Sequence, residues 1–322
     1  MTGTFLRGLA AGAAGTVALD AVSYLDMVVR GRPASPVPGQ IVDAVAERIG
    51  RPVPGTGATR ESRRSALATL AGLANGLGVG VLASAVRSYG VRFPAPVGAV
   101  LAGAASTAAT DLTVAGLGIS DPRTWSAGDW AADAVPHLAY GTAVQAVLES
   151  APTDRENRTP RRPAGAGVLL RSALLGLAAG SRSSLGFAGP VLTAPRGRGP
   201  GRSGRAAKVG TAGAVALELW ADKQPDAPSR LSGAGLPARL LGGAEGGARL
   251  ATRAGANGAL PATVGAAAAA AGSVAGAAWR RWATGRLPAL PAALVEDAVA
   301  VALAALACRP GRTRPALVVV PR

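Results

Sequence analysis

The chain has 322 residues, of which 49% are hydrophobic, 3% aromatic and 16% charged; soluble domains usually carry roughly 25% charge, so an aqueous fold is disfavoured. The formal charge of +16 is not a nucleic-acid footprint, because the arginines gather between apolar segments and few aromatics are on hand to stack on bases. One cysteine, Cys308, and one histidine, His137, exclude an internal disulfide and the Cys/His zinc frameworks.

The stretch "FLRGLAAGAAGTVALDAVSYLDMVV" (5–29) reads as a retained first helix, since Asp20 interrupts it and no small-residue cleavage site follows. In "PGQIVDAVAERIG" (38–50), Ile41, Val42, Val45 and Ile49 form a stripe opposite Asp43, Glu47 and Arg48. This pattern predicts a short amphipathic helix on the membrane surface or capping a bundle. Residues 65–86 and 95–117 each approach the roughly 20 residues that span hydrocarbon. Residues 126–149 are helical but polar on one side, and the polar, Pro-rich "SAPTDRENRTPRRPAG" (150–165) marks a domain boundary.

The second half opens with one apolar segment, 168–194, followed by a basic glycine loop, 195–205, expected to be exposed. A helix ending in "ELWADKQP", an amphipathic segment (236–254) and two apolar segments (260–279 and 287–308) follow. The expected fold is all-α: a polytopic integral membrane protein with six to eight transmembrane helices in two bundles, plus short amphipathic helices. Its parts are an N-terminal membrane domain (1–149), a linker (150–166), a C-terminal membrane domain (167–309) and a tail (310–322) too short and Pro-interrupted to cross again. Strict alternation puts the basic stretches 30–63 and 150–165 on opposite sides, so the positive-inside rule assigns no orientation.

Lipid supplies no hydrophobic force between helices, so association needs close backbone approach or polar pairing. Small residues recur at four-residue spacing in Gly8 and Gly12, in Gly72, Gly76 and Gly80, in Gly176 and Gly180, and in Gly272 and Gly276. These strips predict tight helix packing, and the same faces allow a homo-oligomer.

Charges within spans cost about 2.5 to 3.5 kcal/mol each on insertion scales, so each needs a reason. Asp129, Asp133 and His137 share one helix face at four-residue intervals, with Tyr140 close by and Pro136 beneath. Asp20, near Tyr24, and Asp111 can face the same interior. A proton or cation path is one reading of this set; interhelical hydrogen bonds that fix register are the preferred one. Arg182 falls inside an apolar segment and needs carboxylates, which Glu218, Asp222, Glu296 and Asp297 can supply. Lys223 is expected at the interface and Pro225 to stop the helix. This second cluster also reads as structural pairing or as a binding site.

In the second half, "GLAAGSRSSLGFAGP", "ELWADKQPD", "ARLLGGAEGG", "VGAAAAAAGSVAGAAWRR" and "ALVEDAVAVAL" occur in that order. Over roughly 168–308 this half resembles the bacterial membrane family called domain of unknown function 4126, which implies a multipass helical protein without an assigned activity. One departure is Arg239-Leu240, where the family usually has Arg-Pro. The first half, with "LDAVSYLDMVVRGRP" and "DWAADAVPHLAYG", is similar to other bacterial multipass membrane proteins. No GxSxG, Walker-type or HExxH motif is present, so neither catalysis nor a cofactor is expected. The expected partner is the lipid bilayer of the cell (inner or plasma) membrane, without nucleic acid. A scaffold-type protein is the leading expectation. A small-solute or ion transporter is the rival, favoured by helix interruptions expected at "GFAGP" and "LPALP".

Overall fold

A computed structural model describes residues 2–121, 124–159, 162–197, 203–222 and 235–309. The tail 310–322, Lys223 and Pro225 lie outside these residues. Twelve helices and no strand occur among the described residues, with one isolated bridge between Arg196 and Ser203. The chain divides into two units at 158/159.

The first unit holds α1 (Thr2–Arg30), α2 (Val37–Arg48), α3 (Gly57–Ser88), α4 (Ala95–Gly116), α5 (Ala127–Ser150) and the single turn α6 (Asp154–Asn157). Its long helices alternate in direction. A Cβ on Gly8 would meet Val81 and one on Gly12 would meet Gly76 and Leu77, so α1 and α3 run antiparallel with backbones nearly touching. Gly15 lies under Tyr140 and Val144, and Gly103 under His137, which sets α5 antiparallel to α1 and to α4. The core between them is Ala11, Val79, Ala102, Tyr140, Val144 and Leu148. Gly90 and Gly118 end α3 and α4 with φ of 93° and 71°, a region in which a side chain is strained. The amphipathic helix α2 forms as its stripe predicts, and its Asp43 accepts hydrogen bonds from Arg60 and Arg64 of α3 at 2.7 Å each.

The second unit holds α7 (Ala166–Ser181), α8 (Ser183–Thr193), α9 (Arg205–Ala221), α10 (Gly235–Arg253), α11 (Ala259–Ala283) and α12 (Ala289–Ala307). The single segment expected over 168–194 does not exist. Arg182 is extended (φ −139°, ψ 107°), and a Cβ on Gly189 would lie 3.2 Å from Cδ1 of Leu175. A continuous helix would separate those residues by about 21 Å at 1.5 Å per residue. The chain therefore folds back on itself at Arg182. The interruptions expected at "GFAGP" and "LPALP" are also corrected: Pro190 sits inside α8, and Pro291 lies in the first turn of α12, where no intrahelical N–H is required. Close approach again comes from small residues: Gly176 meets Gly265, and Gly180 meets Ala269 and Gly272. Leu175, Ala178, Leu185, Leu250, Ala300 and Ala304 fill the core.

Among the described residues, five helices are long and apolar enough to cross a membrane: Gly3–Arg30, Gly57–Ser88, Ala95–Gly116, Ala259–Ala283 and Ala289–Ala307. Leucines and valines stand exposed along them, among them Val17, Leu70, Leu112, Val274 and Val299. Such surfaces suit hydrocarbon, and the chain is a multipass helical membrane protein.

Candidate functional site

The reversal at Arg182 breaks the helical ladder, so backbone groups that would pair with each other need other partners. In an unbroken helix the N–H groups of Ser183 and Ser184 would reach Ala179 and Gly180. Instead both donate to the Glu218 carboxylate at 2.8 Å, and the Ser183 hydroxyl donates to it at 2.6 Å. The Gly180 carbonyl accepts from Arg239 Nε at 3.0 Å and from Ser273 Oγ at 3.2 Å. The Ser181 carbonyl accepts from Arg182 Nη1 at 2.8 Å. Glu218 thus caps α8, where the helix dipole favours negative charge.

Arg182 itself is 1% exposed. Its Nε donates to Asp297 Oδ1 at 2.7 Å, its Nη2 lies 2.9 Å from Asp222 Oδ2, and its Nη1 lies 3.8 Å from Glu296 Oε1. Arg280 closes the ring, pairing with Asp222 and, at 3.2 Å, with Glu296 Oε2. The structure therefore brings Arg182, Asp222, Glu296 and Asp297 together. Glu218 stands beside them but serves the α8 amides rather than the guanidinium. Arg239, noted in the sequence only as a departure from the family pattern, holds the Gly180 carbonyl, and Arg280, not singled out there, completes the carboxylate cluster. Arg280 lies in the last turn of α11, where a basic residue reads as an ordinary helix-end charge.

The second polar face separates into unlike parts. Asp129 forms a capping box with Ser126 at the start of α5, its carboxylate accepting from the Ser126 amide at 2.9 Å. Tyr140 is fully buried and donates to the Gly76 carbonyl at 2.6 Å, tying α5 to α3. His137 Nδ1 lies 2.8 Å from the Asp133 carbonyl and 3.5 Å from its Oδ1, and Asp111 on α4 is within electrostatic reach of both. Asp20 on α1 is exposed, as is Tyr24. Asp111, Asp133 and His137 are thus together, while Asp129 and Tyr140 do separate structural work.

A third cluster escaped the sequence. Arg7, 6% exposed, pairs with Glu156 of α6, which is 1% exposed. Arg87 Nε donates to the same carboxylate at 2.6 Å, and Arg92 Nε lies 3.6 Å from it. Burial opposes the charge on Glu156, but the hydrogen bonds from Arg7 and Arg87 outweigh it and hold the carboxyl below its ordinary range. The stretch read as a polar linker therefore contributes a buried anion to the first unit.

Among the described residues, no group of three His, Cys, Asp or Glu side chains is placed to hold a metal ion. No family model, curated protein or solved structure matches the chain.

Proposed function

We propose that this is a non-enzymatic, scaffold-type membrane protein whose intramembrane charges hold its helices in register. The supporting observation is the Arg182 turn: the freed amides, the Gly180 and Ser181 carbonyls and the guanidinium find protein partners within hydrogen-bonding or ion-pairing distance. Paired in this way, the carboxylates are spent on helix contacts. Replacing one partner leaves uncompensated charge, so the cluster behaves as a clasp. The second unit's membership in the domain of unknown function 4126 family, residence in the cell membrane and self-association through glycine faces belong to the same proposal. Gly213, with no described residue within 4 Å of a Cβ built on it, is where a second copy can approach.

A transporter is the second reading, supported by a helix break bearing charge inside a helical unit. Purified wild type and the variants Arg182→Ala, Asp222→Asn and Asp133→Asn separate the two. A clasp predicts variants that melt at lower temperature in detergent and no flux from wild-type proteoliposomes across a broad ion and solute panel. Flux by wild type that the well-folded variants lose would establish transport instead.

A further inference from the structure

The end of the second unit away from the Arg182 turn is crowded with cations. Arg171 lies on α7, Arg196 follows α8, Arg205 and Lys208 begin α9, and Arg249 and Arg253 stand on α10. Lys208 donates to the carbonyls of Leu192 and Ala194 at 2.9 and 2.6 Å, and Arg253 to the Thr193 hydroxyl at 3.1 Å, which places these helix ends side by side. Of the unit's described carboxylates, Glu218, Asp222, Glu296 and Asp297 all lie at the turn. Glu245 alone is near this end, and it is bound to Arg249 at 2.5 Å.

Below this basic rim is a groove of about 600 Å³ between α8, α9 and α10. Phe187 and Val191 form its floor, Ala207, Gly210 and Thr211 one wall, and Glu245 and Arg249 the other. Helix α9 packs on α8 and buries none of its residues, so among the described residues the space toward α10 stays open. No described residue lies within 4 Å of a Cβ built on Gly210. The ion pair with Glu245 stands Arg249 beside the groove.

We propose that this groove binds an anionic phospholipid, with an acyl chain along Phe187, Val191 and Gly210 and the headgroup phosphate at Arg249. The argument is complementarity. A trench with an apolar floor in a membrane-embedded unit takes hydrocarbon, and an excess of guanidinium and ammonium groups at its rim selects a phosphate that carries net negative charge. The proposal does not depend on the Arg182 clasp, which uses other residues.

The test is thermal melting of the full chain in detergent, titrated with phosphatidylglycerol, with phosphatidylcholine of the same chains, or with inorganic phosphate. Phosphatidylglycerol should raise the melting temperature saturably, at a concentration several-fold below that at which phosphatidylcholine acts, and phosphate should leave it unmoved. Arg249→Gln, which removes a charge-assisted contact, should raise the half-saturating phosphatidylglycerol concentration about tenfold. Gly210→Leu, which fills the trench in open space, should do the same with its lipid-free melting temperature unchanged. Equal action of the two lipids, a shift reproduced by phosphate alone, or wild-type titration by Gly210→Leu would overturn the proposal.

Discussion

Arg182 shows what one charge can demand of a chain. Removing it by Arg182→Ala leaves Asp222, Glu296 and Asp297 facing one another without the buried guanidinium, Arg280 remaining paired with Asp222 and Glu296. We expect a loss of about 3–5 kcal/mol, read as a lower detergent melting temperature. Arg182→Met combined with Asp297→Leu should recover part of that loss, because an apolar pair replaces a desolvated one. Glu156 gives the pH dependence of the first unit. Its carboxyl titrates below the ordinary value of 4.5 when folded, so it contributes stability that is fully present above 4.5 and is lost as pH falls through its native value. Wild type should therefore lose melting temperature below pH 4.5, whereas Glu156→Gln should be less stable at pH 7 and lose less than wild type on acidification. Arg182 was legible in sequence because it interrupts an apolar run. Arg7 was not: it stands where any first helix carries a flanking arginine, and its partner is 149 residues away in a stretch that looks solvated. Glu218 and Asp222 share a helix face, yet they part company because α9 ends between them and a half-helix begins opposite the first.

At the scale of the helix, glycine decides which faces meet. Gly180 and Gly272 stand where α7 crosses α11, and Gly141 has the Ala99 carbonyl and the Gly103 amide against it on α4. A side chain at any of these must move backbone, so Gly272→Leu and Gly141→Leu should abolish a monodisperse peak on size exclusion in detergent. Gly72→Leu, with no described residue within 4 Å, should elute and melt like wild type within about 0.5 kcal/mol. Spacing alone could not sort these positions, since Gly72 belongs to the same four-residue series as Gly76 and Gly80 but lies beyond the crossing. The all-helical class and the short surface helix α2 followed from composition and periodicity. The reversal at Arg182 did not, because a hairpin and a straight rod have the same hydropathy, and only the distribution of distant carboxylates and of Arg239 distinguishes them.

Over the whole molecule, the alternation of α1, α3, α4 and α5 fixes which stretches of the first unit share a membrane face. Ser35 follows α1 at the end where α5 begins, and Ser150 ends α5 at the level of Arg7, whose guanidinium reaches the Leu148 and Ala151 carbonyls. In a Cys308→Ala background, Ser35→Cys and Ser150→Cys should react with an impermeant maleimide from opposite sides of sealed vesicles. Labelling of both from one side would refute this arrangement. Loop charges gave no orientation because cations stand at both ends, and many are already bound, to Asp26 and Asp43 at one and to Glu156 at the other. The bend at Arg182 also bears on biosynthesis. Asp222 is translated first, but Asp297 follows Arg182 by 115 residues, so a nascent chain must hold an incompletely paired guanidinium until the last described helix is made. Chains that terminate before the last helix should be recognised as orphans and degraded, which makes the final helix a checkpoint for release from the insertion machinery.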